Sequence, residues 1–344
     1  MRALAILTVK NEAGFLLEWL AHHRACGFTD FLVFSNDCTD GTDAMLDRLA
    51  AMGWLTHVRN DGPHPQGPQW TALKLANRHR ACQTADWLLF CDIDEFVNIH
   101  TGVRTVPALL AALPQAAAIA LTWRMFGNAG VMRYADTPVV QSFTRAAPAV
   151  LAWPWRAQMF KTLFRRDAFA KLGVHRPRQP THDPRWFDGS GRELPGMDSH
   201  SRVFSDYSRD NYGLAQLNHY ALGSAESYLV KCDRGRANRD ASGFDLGYWV
   251  ERNLCDVEDR SILALDSRAL LASLHADADL ARLHRAAVAW RHSRIGDLLA
   301  TEPGRALLGR LMMCPPSRLL TTDDTMTILR HLPGAASRGR NNPA

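Results

Sequence analysis

Apolar and polar positions follow a regular pattern over the first hundred residues. Residues 3–9 form an apolar run that ends at Lys10-Asn11-Glu12. Over 12–26, Phe15, Leu16, Trp19 and Leu20 recur at helical spacing, and Gly27 supplies a stop. A second strand is predicted over 31–35, a polar turn over 36–42, and a helix over 43–52 that Gly53 closes. A third strand falls at 54–58, and a Pro- and Gly-rich loop at 61–68. One helix is predicted over 69–83, and 87–91 is a run apolar enough for a strand buried on both faces. Strands alternating with helices predict right-handed crossovers between parallel strands. The expected fold is therefore α/β, with a mostly parallel central sheet flanked by helices.

Beyond Val97 the rhythm changes. Strands are predicted over 117–123, 139–145 and 158–164 with no long helices between them, and a polar loop over 176–195. A last strand over 214–220 ends in Asn218-His219-Tyr220, and Ser224 caps a helix with Glu226 in its first turn. From 257 onward several helices are expected, with breaks at Glu302-Pro303-Gly304 and Cys314-Pro315-Pro316. Residues 334–344 are small and polar, and a disordered tail is expected there.

The chemistry concentrates where 87–91 ends, in Asp92, Asp94 and Glu95. Residues two apart in extended chain point the same way, so Asp92 and Asp94 can converge. Like charges that close repel unless a cation lies between them, and a hard divalent ion, Mn²⁺ or Mg²⁺, suits oxygen ligands. The carboxyl edge of an open α/β sheet is where ligands bind. The bland alternative is a strand followed by a solvated acidic turn. No Gly-X-Gly-X-X-Gly or Walker sequence is present, which disfavours a dinucleotide site and a P-loop.

Composition narrows the setting. The 344 residues are 47% hydrophobic and 22% charged, ordinary for a globular protein, and no apolar run is long enough to cross a bilayer. The N-terminal run is too short for a signal peptide and lacks a cleavage site. Seven scattered cysteines without a Cys-X-X-Cys pair point to a reducing, cytoplasmic compartment. A net charge of +5 fits anionic ligands without singling out nucleic acid, and none is expected as partner.

Other residues have both functional and structural readings. Lys10, Asn11 and Glu12 can grip a base or ribose, or simply start a helix. Asn36 can read a base, or belong to a turn in which Asp40 or Thr42 caps the next helix. Trp123 can stack on a sugar, or fill the core. His175, Lys161, Asp183 and Asp188 fall around the expected mouth of the site, and one loop carboxylate there can act as a general base. His219 precedes Lys231, Arg234 and Arg236, a basic cluster suited to a departing diphosphate or to a solvated helix face.

In this order, Val9-Lys10-Asn11-Glu12, the Glu18 to His23 segment, the Ser35 to Thr42 turn and the Asp86 to Phe96 segment resemble a branch of the family 2 glycosyltransferases. The order is similar to that of the related family 92 enzymes. Trp123 to Gly127, His175-Arg176-Pro177 and Asn218-His219-Tyr220 with the basic helix extend the resemblance to about residue 259. It implies a GT-A fold, a nucleotide-sugar donor, UDP-linked by expectation, and transfer with inversion to a glycan or lipid-linked hydroxyl. Asp92-Ile93-Asp94 would be the Asp-X-Asp motif. Asp94 and His219 would hold the metal, and Asp92 would face the metal or the donor ribose. Lys10, Asn11 and Asn36 would line the nucleoside pocket, although many family 2 members have Asp at the position of Asn36. The base would be Asp183 or Asp188. The expected division is a transferase domain over 1–256 (a nucleotide-binding half, 1–100, and an acceptor half, 101–256), a helical extension over 257–333 and the tail. Peripheral contact of the extension with the inner membrane face is a further expectation. The alternatives are a haloacid-dehalogenase-like phosphatase and an inactive carbohydrate-binding protein.

Overall fold

The structure, a computed structural model, describes residues 1–235 and 245–331. Arg236 and the tail over 334–344 lie outside the described residues. The first half runs β1 (Ala3–Val9), α1 (Ala13–Ala25), β2 (Asp30–Ser35), α2 (Thr42–Ala51), β3 (Thr56–Arg59), α3 (Pro68–Arg78), α4 (Arg80–Thr84), β4 (Trp87–Phe90), β5 (Glu95–Ile99), α5 (Val106–Ala112) and β6 (Ala118–Met125). Then come α6 (Val139–Ser142), β7 (Arg145–Ala146), β8 (Phe160–Arg165), β9 (Phe169–Lys171), β10 (Arg178–Pro180), β11 (Trp186–Asp188), β12 (Ala215–His219), α7 (Ala225–Arg234) and α8 (Leu246–Val250). The last part holds β13 (Val257–Glu258), α9 (Arg268–Ala276), α10 (Ala278–Leu299), α11 (Glu302–Met313) and α12 (Thr322–Leu329).

The central sheet has the order β3-β2-β1-β4-β8-β6-β12-β5. The pairs β3–β2, β2–β1, β1–β4 and β6–β12 are parallel; β8 is antiparallel to both its neighbours, and β5 is antiparallel to β12. β11 runs parallel beside the first half of β6, at Ala118 to Ala120, and β12 beside its end, at Trp123 to Met125. The expected mixed α/β class, mostly parallel and flanked by helices, is what the chain forms. One consequence fixes the site. The ends of β1, β2, β4, β6 and β12 all reach the same edge, and β5 and β8 begin there.

Burial explains the layers. Along β1, Ala3, Ala5, Leu7 and Val9 pack on one side with α1 residues Leu16, Trp19 and Leu20. Leu4 and Ile6 pack on the other side with Ala72, Leu73 and Ala76 of α3. β4 divides the same way, Leu89 to the first layer and Leu88 and Phe90 to the second. Both faces are covered, which is why these strands read as continuous apolar runs.

Some expectations change. Residues 139–145 form α6 and only the start of β7, because Glu18 accepts the Val139 and Val140 amides (2.8 and 3.1 Å) and so begins a helical turn. The helix expected over 69–83 is two, broken where His79 becomes extended and caps α4. The loop over 176–195 contains β10 and β11. β5 was not expected; Glu95 and Asn98 interrupt its apolar pattern, yet both are buried against β12.

Candidate functional site

α1 holds the acidic turn in place. Trp19 is fully buried, and its indole N–H donates to the carbonyls of Asp92 (3.2 Å) and Glu95 (3.1 Å). His22 Nε2 donates to the Val97 carbonyl (2.8 Å), and His23 Nε2 accepts the Val97 amide (3.3 Å). Three α1 side chains thus grip the backbone from Asp92 to Val97. Burial pushes His22 down to about 4 and His23 well below the ordinary imidazole range, so both are neutral in these roles.

Each acid of the turn meets a lysine. Lys161 comes from β8, fully buried, and its Nζ lies 2.8 Å from Asp92 Oδ2 and 3.7 Å from Glu95 Oε2. Gln69 adds a 3.3 Å contact to Asp92 Oδ1. Lys231 of α7 donates to Asp94 Oδ2 (2.7 Å) and to the Ala221 carbonyl (2.7 Å). His219 Nε2 stands 3.7 Å from Asp94 Oδ1. Burial opposes the Asp94 charge, but Lys231 and His219 outweigh it and hold its carboxyl well below the usual range. Burial lowers His219. Glu95 is the contrast: burial raises it to about 8, with Lys161 opposing and Asp92 and Asp94 adding to the rise. Its Oε1 accepts the Trp123 indole N–H at 2.7 Å. Trp123 lies between two imidazoles, its ring 4.4 Å from His219 and 5.6 Å from His175.

An open cavity of about 710 Å³ lies over this edge. Of the expected residues, Lys10, Glu12, Asp92, Asp94, His219, Lys231 and Arg234 line it. Glu12 is buried and paired with Arg234, which also donates to the Lys10 carbonyl (2.9 Å). Asn11 and Asn36 do not line the cavity. Asn11, at φ 54°, accepts the Thr39 amide (2.7 Å) and shapes the turn. Asn36 is buried just past the end of β2, and among the described residues its Oδ1 has no partner.

The two residues expected as base fall elsewhere. Asp183 is exposed. Asp188 is buried beside Ala120 of β6, well before the strand end, and its Oδ1 accepts the amides of Ser190 and Arg192 (both 2.9 Å). It shapes a turn. The cavity instead collects Asp245, Glu251, Arg252 and Tyr248, which no sequence signal singled out. Asp245 Oδ1 caps α8 through the Tyr248 amide (2.8 Å). Among the described residues Glu251 pairs with Arg252 at 3.4 Å, and its side chain is 35% exposed.

Asp94 and His219 adjoin, but Asp92 turns to Lys161. Among the described residues no three of His, Cys, Asp and Glu are placed to hold a metal. Lys161 and Lys231 each hold one of the two aspartates.

Residues 6–190, more than half the chain, match the model of glycosyltransferase family 92. A family 92 protein of Oryza sativa subsp. japonica is 25% identical over 163 residues, 46% of this chain and 26% of its own length. One of Ricinus communis is 26% identical over 106 residues, 29% of this chain and 18% of its own. The chain spans about a quarter or less of the length of these curated relatives. Among solved structures, residues 1–349 of S. aureus TarS overlap 49% of this chain and 48% of their own at 18% identity and a TM-score of 0.31. Glucosyl-3-phosphoglycerate synthase from Mycobacterium tuberculosis overlaps 36% of this chain and 44% of its own at 18% identity and a TM-score of 0.25. Similarity that low says nothing of the reaction.

Proposed function

This chain belongs to glycosyltransferase family 92, and from that premise we propose that it transfers a sugar from a nucleotide-diphosphate donor, UDP-linked by preference, to a hydroxyl of a glycan or lipid-linked acceptor. One observation carries the reading. The cavity at the carboxyl edge of the parallel strands gathers Lys10, Lys231, Arg234 and Arg252 beside Asp92 and Asp94. Cations in a partly enclosed site suit a diphosphate, and an acidic turn suits sugar hydroxyls.

In this proposal the bond from the anomeric carbon to the diphosphate oxygen breaks, and its electron pair leaves with the phosphate. Lys231 and Arg234 meet the growing charge; both are held in place, by Asp94 and Glu12 respectively. The acceptor oxygen attacks the opposite face, which inverts the centre, and its proton passes to a carboxylate. Of the carboxylates lining the cavity, Glu12, Asp92 and Asp94 are each paired with a cation from another element, and Asp245 caps a helix. Glu251 is the most loosely held, so we assign it the proton. Glu251→Gln should lower kcat about a hundredfold with KM little changed. A variant as active as the parent would move the base elsewhere. A cation, if one binds, has Asp94 and His219 to hold it, and would supply the same charge neutralisation.

The defining measurement is melting temperature with UDP, GDP and CMP, with and without Mn²⁺. Ligand that binds the folded state raises it by mass action. UDP should raise it without added metal, and Lys231→Ala should weaken UDP about tenfold. A shift that appears only with Mn²⁺ would mean that Lys231 yields Asp94 to the ion. If none of the three nucleotides shifts the transition, the donor assignment fails. No observation favours the phosphatase alternative: the acidic turn follows the fourth strand rather than the first. Among the described residues no helix is long and apolar enough to cross a membrane.

A further inference from the structure

A second, smaller cavity of about 90 Å³ lies behind the first. Glu12, Ile93, Asp94 and Lys231 line both, so the two cavities adjoin at these residues. The rest of the lining is mainly apolar, from residues such as Phe15, Val131, Phe143 and Leu222. Among the buried polar side chains that also line it, Tyr134 and Arg291 stand apart. Tyr134 is 7% exposed, and among the described residues its hydroxyl has no hydrogen-bond partner. Arg291, from α10, is 6% exposed, and its Nε–H has none either. Its Nη2 donates weakly to the Ser227 carbonyl (3.5 Å), and its Nη1 lies 3.9 Å from Glu12.

Buried donors are seldom left unpaired, because an unmet N–H or O–H costs about 1–3 kcal/mol. The acceptors in this annex are already engaged: Glu12 by Arg234 and Asp94 by Lys231. The donors are not. What is missing is therefore a group that brings an accepting oxygen. The two carboxylates in the lining are offset by Lys231 and Arg291, so no buried net charge calls for an ion, and the apolar walls match carbon. A compact neutral group with a carbonyl on a small apolar body fits, and the volume admits about four or five heavy atoms. In carbohydrate chemistry that group is an N-acyl substituent.

We propose that this annex binds the N-acetyl group of an amino sugar, with the carbonyl taking Tyr134 Oη–H and Arg291 Nε–H and the methyl lying on the apolar wall. The proposal rests on the sugar-transfer reading and specifies its substrate class. The sugar is the one being transferred or the one accepting, and the experiment has an arm for each.

For the full chain, affinity for UDP-N-acetylglucosamine and UDP-N-acetylgalactosamine is compared with affinity for UDP-glucose and UDP-galactose. In the second arm, methyl glycosides of N-acetylglucosamine and glucose compete as acceptors. The N-acetyl sugar should be preferred about tenfold in one arm. Tyr134→Phe should reduce that preference to about threefold or less. Its melting temperature should stay within about 2 °C of the parent, since the hydroxyl removed has no partner to lose. Val131→Phe, which fills the annex, should abolish the preference while UDP alone still binds. Bound UDP with no N-acetyl preference in either arm would overturn the annex and leave the transferase reading standing. A preference that survives both variants would place the N-acetyl group elsewhere. Failure of UDP itself to bind would remove the parent reading and this one together.

Discussion

At the scale of single residues, the protein keeps ionisable groups buried in defined charge states, and this makes its stability depend on pH. His22 is the clearest case. It sits fully buried as a neutral donor to Val97, with its pKa pushed down to about 4. An unfolded histidine titrates near 6.5. Between those values the unfolded chain holds a proton that the folded chain does not. Stability from this residue is therefore complete above about pH 6.5 and is lost as pH falls toward 4. The linkage is about 1.4 kcal/mol per pH unit, so the total approaches roughly 3 kcal/mol. Glu18 acts in the opposite sense: burial raises it to about 7, so its contribution declines as pH rises from about 4.5 to 7. Urea unfolding at half-unit pH steps should show the parent weakening from pH 6.5 to 4. His22→Gln, which keeps a donor for Val97 but does not titrate there, should weaken less steeply by up to one proton. Identical slopes would show that His22 is protonated in the folded state.

At the scale of elements, a polar turn after one strand anchors the helix after another. Asp40 accepts the Ala13 amide of α1 (2.9 Å) and the Thr42 amide and hydroxyl of α2 (2.9 and 2.6 Å). Asp40 or Thr42 was expected to cap the helix that follows, and Gly41 occupies that N-cap position at φ 88°. Asp40→Ala would leave two buried amides without an acceptor at the start of the helix that grips the acidic turn. A loss of about 1–2 kcal/mol is expected, read as a lower urea midpoint at unchanged m. A change within about 0.3 kcal/mol would mean that water replaces the carboxylate.

The same contrast between local and distant contacts decides what was legible in the sequence. Apolar periodicity located β1, α1, β2, α2 and β4, and with them the edge carrying Lys10, Asp92 and Asp94. His219 followed from its place at a strand end. The pairing of Lys161 with Asp92 did not, because β8 inserts antiparallel between β4 and β6, and no local pattern reports that register. Asp188 drew attention as a loop carboxylate, yet its strand lies beside the first half of β6 and places it short of the edge. Glu251 and Arg252 reach the cavity only because the chain returns there after α7, past the last strand that periodicity could place.

At the scale of the molecule, the C-terminal helices cover the helices beside the candidate site. α10 packs against α1, α2 and α7, burying Leu280, Ala287 and Ile295. Two ion pairs tie its ends: Arg48 to Asp277 (Nε–Oδ1 3.1 Å) and Arg294 to Asp233 (2.7 Å). Arg291 reaches through to Phe15, 4.5 Å from its ring, and to the wall of the annex. Removing the chain from residue 266 onward would uncover the apolar faces that α9 and α10 cover. Each large aliphatic side chain lost from such a contact forfeits about 1.5–3 kcal/mol, and several are lost at once. That is comparable with the whole stability of a domain. The shortened chain should therefore be insoluble, or melt without a cooperative transition, and bind no nucleotide. A cooperative transition with the UDP response intact would instead make 1–265 the functional unit. Arg291 would then be dispensable for nucleotide binding, and the N-acetyl preference alone would be lost with α10.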